Sequence, residues 1–292
     1  MASLRPSTLM EGSFPPLGFI GGAWRDPLIM IMRVPPVRDS VSKLAFVTGA
    51  TAGIGAATAR ALAGAGYDLV LAGRREDRLH DLQVELGGRV NVEAIPFDLR
   101  DRQALKLAEL AHPELFERVD VLVNNAGLAR GTEPLQEGDP DEWDEVIDTN
   151  VNALLRVTRA ILPHMVKRGS GHVVNLGSTA GHWVYPGGAV YCASKFAVRA
   201  LTEGMRMDVH GSGVRVTEIS PGMVGGTEFS DTRFRGDAGR ARKVYEGLQP
   251  LTPQDIAETI LWCVQRPPHV NVQELVVMPV AQASVSMVKR GA

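Results

Sequence analysis

From Lys43 onward, the chain alternates short apolar segments with longer segments of helical period. Strands that alternate with helices of roughly 10–20 residues form right-handed βαβ units, in which helices cover both faces of a parallel sheet. We therefore expect a single doubly wound α/β domain of about seven parallel strands. The apolar segments are 43–48, 68–72, 90–97, 119–123, 172–176, 214–219 and 274–278, and the main helical segments are 54–65, 76–86, 102–116, 143–167 and 191–209.

The first 40 residues do not follow this pattern. They contain six prolines and no sustained period, and Glu11 and a Pro-Pro pair interrupt the apolar stretch that a secretory signal needs. We expect residues 1–40 to be a poorly ordered N-terminal extension and residues 41–292 to form the α/β domain. Two alternatives stay open for the extension: sequence upstream of a start at Met30 or Met32, or an arm that covers a neighbouring subunit.

Composition argues against several classes of function. Lys and Arg number 31 against 33 Asp and Glu, a net charge of −2, so the basic surface of a nucleic-acid binder is not expected. The sequence has neither a basic amphipathic run nor an apolar segment of the ~20 residues that cross a bilayer. Cys192 and Cys263 are too few for a disulfide framework or a zinc site. We expect a cytoplasmic, reducing compartment and no metal.

A glycine-rich turn, TGATAGIG at 48–55, joins the first strand to the first helix. Gly49 permits the tight turn, Gly53 lets the backbone approach a pyrophosphate, and Gly55 lets the helix pack on the sheet. The helix N-terminus would then offer N–H groups and a positive dipole to phosphates. An ordinary strand-to-helix connection is the alternative, but the position after the first strand favours a Rossmann-type dinucleotide site.

The end of the second strand indicates which dinucleotide binds. NAD-binding proteins place an acidic residue there for the ribose 2′-hydroxyl, whereas this chain has Gly73, Arg74 and Arg75. Arginine forms charge-assisted pairs with phosphate, so NADP is favoured over NAD. The alternative is two arginines at a solvated helix start. Further on, Asp98 could bond the adenine amino group, with Leu99 beside it, or it could cap the next helix.

Three residues in the second half of the chain suit carbonyl chemistry. Tyr191 and Lys195 are four residues apart on a helix and share a face, while Ser178 ends the fifth strand at the ligand-binding edge. A tyrosine with a pKa of about 10 donates a proton poorly at neutral pH unless its phenolate is stabilised. A lysine ammonium and an oxidised nicotinamide are plausible sources of that stabilisation. Ser178 can hydrogen-bond the same substrate oxygen.

These motifs stand in a fixed order along the chain, which runs through the glycine turn, Asn124-Asn125-Ala126-Gly127, Ser178, Tyr191, Lys195 and Pro221-Gly222. Because its motifs occur in this order, the segment from about 43 to 280 resembles the short-chain dehydrogenase/reductase family of NAD(P)-dependent oxidoreductases. The resemblance implies that Asn150 is a fourth catalytic residue, which holds a water that links Lys195 to solvent. It also implies that Lys195 bonds the nicotinamide ribose and that segment 221–227 lies along the nicotinamide. Gly225-Gly226 lengthens that segment by one residue and leaves the role of Thr227 open.

Two segments, NNAGLARGTEP at 124–134 and ISPGMVGGTEFSDTRFRGD at 219–237, are similar to one subgroup of that family. The subgroup is the NADP-dependent 3-hydroxy acid dehydrogenases, which also oxidise serine and L-allo-threonine. Such substrates carry a carboxylate, for which Arg233 and Arg235 are candidate anchors by charge. Exposed arginines on a mobile lid are the alternative. Tyr185 is a further candidate for the substrate pocket, with Ser178.

We therefore predict an NADP-dependent oxidoreductase that transfers a hydride between the nicotinamide and a small 3-hydroxy acid or its semialdehyde or keto form. The alternatives are a broad-specificity carbonyl reductase or alcohol dehydrogenase, and a non-catalytic NADP-binding sensor. Helical segments 143–167 and 191–209 carry more apolar residues than one core-facing stripe needs, which together with the resemblance predicts a homotetramer or homodimer. The predicted cofactor-binding residues are Gly49, Thr51, Ala52, Gly53, Ile54, Gly55, Arg74, Arg75, Asp98, Leu99, Asn125, Ala126, Gly127, Tyr191, Lys195, Pro221, Gly222, Val224 and Thr227.

Overall fold

Seven parallel strands form one sheet in the computed structural model, which describes residues 42–291. Their order across the sheet is β3-β2-β1-β4-β5-β6-β7, so the predicted doubly wound α/β fold is confirmed. The expectation for residues 1–40 falls outside the described residues. The strands are β1 (Leu44–Thr48), β2 (Asp68–Gly73), β3 (Val92–Pro96), β4 (Val119–Asn124), β5 (Gly171–Leu176), β6 (Val214–Pro221) and β7 (Glu274–Val277).

Helices connect successive strands and cover both faces of the sheet. Across residues 42–291, none of them has the length and apolar character that crossing a membrane requires. The α-helices are α1 (Gly53–Gly64), α2 (Glu76–Gly87), α3 (Arg102–Ala111), α4 (Pro113–Arg118), α5 (Pro140–Ile147), α6 (Ala153–Arg168), α7 (Ala189–Asp208), α8 (Phe229–Arg233), α9 (Ala238–Lys243) and α10 (Pro253–Val264).

The long helix predicted over 143–167 is interrupted. Between α5 and α6 lies one turn of π-helix, Asp148–Asn152, which is closed by a hydrogen bond from the N–H of Ala153 to the carbonyl of Asp148. The wider helical turn points the side chain of Asn150 into the protein interior, where the residue is 1% exposed. π turns inside α-helices occur often at functional sites.

The helix predicted over 102–116 is also two helices. His112 leaves the helical conformation with φ −133° and ψ 49°, and Pro113 then begins α4. Proline disfavours a helical residue before it and has no N–H to continue the hydrogen-bond ladder. The side chain of Asp101, rather than that of Asp98, caps α3 by accepting from the N–H groups at 103 and 104. Of the two alternatives for Asp98, the helix cap is therefore wrong, and the contact with adenine stays a prediction.

Alternation along the inner strand β1 shows that the sheet has a core on each face. Ala45 and Val47 of β1 face α1, α2 and α10, whereas Leu44 and Phe46 face α3, α4, α6 and α7. The rings of Phe46 and Phe116 pack with centroids 5.4 Å apart. Since both faces are occupied, the carboxyl edge of the sheet is the place left for a ligand.

The close packing of the glycine turn against α1 can be tested with one matched pair of variants. A Cβ at Gly55 would lie 2.3 Å from the carbonyl oxygen of Gly49, whereas a Cβ at Gly64 would meet nothing within 4 Å. Gly55→Ala is expected to destabilise the protein by about 1–3 kcal/mol through overpacking. Gly64→Ala is expected to be neutral or to stabilise it by up to about 1 kcal/mol. Urea unfolding followed by circular dichroism measures both, and equal midpoints would contradict the proposed packing.

Candidate active site

A cavity of about 530 Å³ opens at the carboxyl edge of the sheet, where β1, β4, β5 and β6 end. Gly55 lies outside its lining because it packs under Gly49, and Asn150 and Arg235 also lie outside. The other predicted site residues line it together: Gly49, Thr51, Ala52, Gly53, Ile54, Arg74, Arg75, Asp98, Leu99, Asn125, Ala126, Gly127, Ser178, Tyr185, Tyr191, Lys195, Pro221, Gly222, Val224, Thr227 and Arg233.

The glycine turn is tied to the end of the neighbouring strand β4. The side-chain amide of Asn125 donates to the carbonyl oxygens of Thr48 at 2.9 Å and Gly49 at 3.2 Å, and its backbone N–H donates to the Thr48 hydroxyl at 3.0 Å. Gly49 and Gly53 have φ of +64° and +51°, a region that favours glycine. Among the described residues, no side chain caps α1, so its first N–H groups remain for an anionic ligand.

Two arginines stand at the end of β2, as predicted, but one of them already has a partner. Arg75 donates from Nη2 to the Thr51 hydroxyl at 2.9 Å and from Nη1 to the carboxylate of Glu228 at 2.7 Å. Arg78 donates to the other oxygen of the same carboxylate at 2.5 Å. Arg74 is exposed at the rim of the cavity. Glu228 could not be recognised from the sequence, since its partners lie about 150 residues away along the chain.

Asp98 follows β3 and forms the far wall of the cavity with Leu99. Arg100 donates to Asp98 from its backbone N–H at 2.9 Å and from Nη2 at 2.7 Å. These bonds hold the pKa of Asp98 below its usual value, so the carboxylate is ionised. Arg100 also reaches Glu145 of α5 at 3.1 Å, which fixes this wall to the helix that leads into the π turn.

The side chain of Asn150 secures the segment after β4. Its Nδ2 donates to the carbonyl of Leu128 at 2.8 Å and to the Ser194 hydroxyl at 2.9 Å, and its Oδ1 accepts from the N–H of Leu128 at 2.8 Å. A Cβ at Gly127 would lie 3.3 Å from that Oδ1 and 3.5 Å from Nζ of Lys195. Gly127 thus lets Asn150 and Lys195 approach each other. The water that Asn150 is expected to hold, and that would link Lys195 to solvent, stays a prediction.

Ser178, Tyr191 and Lys195 meet as their spacing predicts. Ser178 lies beside Tyr191 in the cavity lining, and Nζ of Lys195 donates to the carbonyl of Leu176 at 2.8 Å and lies 6.0 Å from the centroid of the Tyr191 ring. Burial raises the pKa of Tyr191, so its phenol is neutral in this structure, and the stabilisation of its phenolate that was expected from Lys195 does not outweigh burial here. Burial lowers the pKa of Lys195 to about 8, which leaves the ammonium charged at neutral pH.

A buried carboxylate stands behind Lys195. Glu218 of β6 is 2% exposed and accepts from the Ser220 hydroxyl at 2.8 Å. Burial raises the pKa of Glu218 to about 7, and its attraction to Lys195 in turn raises the pKa of the lysine. One ring nitrogen of His182 and one carboxylate oxygen from each of Glu218 and Glu274 lie within 4.8 Å of one another. Glu218 was not predicted as a site residue, although an acidic residue inside an apolar strand was a visible signal.

The two candidate anchors for a substrate carboxylate lie in different places. Arg233 lines the cavity, donates to the hydroxyl of Tyr185 at 2.9 Å and stacks over its ring at 5.3 Å. Arg235 faces away and donates to Glu142 at 2.6 Å and to Glu133 at 3.1 Å. Because two carboxylates outside the cavity already pair with Arg235, it is not a candidate substrate residue.

Segment 221–227 closes the cavity over the glycine turn. Gly226 takes a φ of +67° and a Cβ at Gly225 would lie 2.6 Å from Pro250, so both glycines of the lengthened segment are needed. Thr227 still reaches the turn, with its methyl carbon 3.1 Å from a Cβ placed on Gly53. Beyond it, the ring of Phe229 meets that of Tyr191 edge-on, with centroids 5.5 Å apart.

Comparison with known proteins assigns the family. The short chain dehydrogenase family matches residues 43–237. The NADP-dependent 3-hydroxy acid dehydrogenase YdfG of Escherichia coli K12 is 45% identical over 240 residues, 82% of this chain and 96% of that protein. Sulfoacetaldehyde reductase 2 of Chromohalobacter salexigens is 46% identical over 244 residues, 83% of this chain and 96% of that protein.

A solved structure described as the closed form of serine dehydrogenase complexed with NADP+ superposes with a TM-score of 0.79 and 44% identity, and covers 85% of this chain and 100% of that chain. The chain belongs to the short-chain dehydrogenase family, as the order of its motifs predicted. It is an oxidoreductase that acts on CH–OH groups.

The proton donor can be tested by removing one oxygen atom. Tyr191→Phe is expected to lower kcat by about 10²–10⁴, the range typical of general acid catalysis, and to change cofactor affinity only a few-fold. The matched control is Tyr67→Phe, because Tyr67 is buried but lies outside the cavity lining, and its turnover should equal that of the wild type. Steady-state kinetics measures both. Retention of more than about a tenth of kcat by Tyr191→Phe would exclude this residue as the donor.

Proposed function

We propose that this chain is an NADP-dependent dehydrogenase that transfers a hydride between the nicotinamide and a small 3-hydroxy acid or its semialdehyde or keto form. The observation that carries the proposal is the position of Arg233, whose guanidinium lines the same cavity as Ser178 and Tyr191. Three hydrogen bonds, to Gly131, Tyr185 and Gly187, orient this guanidinium and leave N–H donors for a substrate anion.

The relatives support an anionic substrate. The printed names give a 3-hydroxy acid dehydrogenase, a serine dehydrogenase and a sulfoacetaldehyde reductase. Hydroxy acids and serine carry a carboxylate, and sulfoacetaldehyde carries a sulfonate, close to the carbon that reacts. All three chemistries require a cation near the proton donor, which is where Arg233 lies.

The cavity suits NADP along its whole length. The glycine turn and the uncapped start of α1 would hold the pyrophosphate, because a helix N-terminus attracts anions. Arg74 and Arg75 would pair with the 2′-phosphate, and Asp98 and Leu99 would border the adenine. Relatives named NADP-dependent and a neighbour complexed with NADP+ support this choice of cofactor over NAD.

The side chains divide the proton chemistry among them. When bound, the reduced nicotinamide supplies the hydride to the carbonyl carbon. Tyr191 donates its phenolic proton to the carbonyl oxygen, and Ser178 hydrogen-bonds the same oxygen and holds it in place. Lys195 stabilises the phenolate that forms and would bond the nicotinamide ribose, while Asn150 would hold the water through which the proton is replaced.

Two rival functions are distinguished by residues in the cavity. A broad-specificity carbonyl reductase would need the same proton donors but not the cation at Arg233. A non-catalytic NADP-binding sensor would need the glycine turn but neither Tyr191 nor Lys195, and both are present with Ser178 beside them.

The experiment is a substrate panel with the wild type, read by absorbance of the reduced nicotinamide. We expect turnover with NADP of 3-hydroxy acids such as serine and 3-hydroxybutyrate. Arg233→Ala should raise KM for a hydroxy acid at least about ten-fold, because a charge-assisted bond contributes roughly 1.5–3 kcal/mol. KM for a neutral secondary alcohol should stay nearly unchanged.

Arg235→Ala is the matched control, since it removes an arginine two residues away that lies outside the cavity. It should leave KM for both substrates unchanged. If Arg233→Ala raises KM for both substrates alike, the arginine only holds the segment around residue 233 in place. A wild type that prefers uncharged ketones would favour the carbonyl reductase, and one that turns over nothing would favour the sensor.

Exposed apolar residues support a homotetramer or homodimer. Leu155 of α6 and Phe196 of α7 are each 40% exposed, and Trp262 of α10 and Val276 of β7 are 46% and 41% exposed. We place the assembly in the cytoplasm, with Cys192 and Cys263 buried as free thiols, and expect neither a nucleic acid nor a membrane as partner.

Light scattering tests the assembly. The wild type should have a mass of two or four times 31.4 kDa. Leu155→Asp should lower that mass by placing a charge in the interface, whereas Leu107→Asp, at an exposed leucine on α3, should not. A fully active wild type of 31.4 kDa would contradict the proposal.

A further inference from the structure

One carboxylate bridges two arginines at the adenosine end of the cavity. Glu228 accepts from Nη1 of Arg75 at 2.7 Å and from Nη1 of Arg78 at 2.5 Å, one arginine on each oxygen. Although burial raises its pKa, the hydrogen bonds from Arg78 and Arg75 hold the pKa of Glu228 below the usual value, so the group is ionised. Glu228 is itself part of the cavity wall.

Its position in the chain connects two parts of the site. Thr227, the residue before it, lies against Gly53 of the glycine turn, and Phe229, the residue after it, packs on the ring of Tyr191. Arg75, by contrast, is at the end of β2 and is also bonded to Thr51 of the glycine turn. The ion pair therefore joins the phosphate-binding side of the cavity to the segment that covers the proton donor.

Charge and geometry make the carboxylate a competitor of the cofactor. A 2′-phosphate carries about two negative charges and seeks the same planar guanidinium donors as a carboxylate. Nη1 and Nη2 of Arg75 are both engaged, with Glu228 and with Thr51. Arg78 offers Glu228 a second partner outside this contact, so the carboxylate can leave Arg75 and still remain paired.

We propose that Glu228 is a cofactor-specificity residue whose carboxylate exchanges with the NADP 2′-phosphate on Arg75 and is kept by Arg78. A cofactor without that phosphate leaves the Arg75–Glu228 pair in place. The 2′-phosphate therefore has to displace a competing anion, and its presence is registered at the segment next to Tyr191. This inference rests on the proposed NADP dependence.

The test measures binding without turnover. Isothermal titration with the full chain compares NADP, NAD, adenosine 2′,5′-bisphosphate and 5′-AMP on the wild type and on Glu228→Gln. Removing the competing charge should increase the affinity for NADP and for the bisphosphate about two- to five-fold at low salt, the range expected for exposed ion pairs. The affinities for NAD and 5′-AMP should stay unchanged. The gain should shrink in about 0.5 M NaCl, because salt screens exposed charges.

Glu85→Gln is the matched control, since Glu85 forms a similarly exposed pair with Arg60 and lies outside the cavity lining. It makes the same change in net charge and should alter no affinity. If Glu228→Gln binds the bisphosphate more weakly than the wild type, the carboxylate orients Arg75 for the phosphate. If the two bind it equally, the carboxylate has no effect on binding. Either result overturns the inference. If the wild type itself binds NAD as tightly as NADP, the proposed cofactor is wrong instead.

Discussion

The hydrogen bonds between Thr48 and Asn125 determine where the site lies. They join the ends of β1 and β4, the two strands between which the order of the sheet reverses, and a crevice opens at such a point. On the β1 side they fix the position of the glycine turn and therefore the direction of α1. On the β4 side they fix the position of Gly127, and the side chains of Lys195 and Asn150 both pack close to it.

A buried charge gives the site its chemistry. The ammonium of Lys195 lies in the interior, where burial disfavours the charged form, and the carbonyl of Leu176 and the carboxylate of Glu218 oppose that effect. A buried cation is retained only when its partners are well placed. The ends of β5 and β6 supply those partners, so the same sheet edge that forms the cavity also keeps a positive charge beside Tyr191.

The sequence predicted what local pattern and spacing determine. The alternation of strands and helices predicted the parallel sheet, and the four-residue spacing of Tyr191 and Lys195 predicted that they share one face of a helix. The π turn at Asp148–Asn152 was not predictable, because its residues continue a helical period and the contacts of Asn150 with Leu128 and Ser194 distinguish it. Arg233 and Arg235 could not be separated by sequence, since their partners lie far along the chain.

The π turn also has a cost for the protein that carries it. An inserted residue shifts the helical phase, so α5 and α6 present different faces to the core than one regular helix would. Deleting one residue within 148–152 would restore an uninterrupted α-helix with a regular hydrogen-bond ladder, but it would turn Asn150 away from Leu128. The extra residue thus sets α5 and α6 in different phases and at the same time holds Asn150 against Leu128.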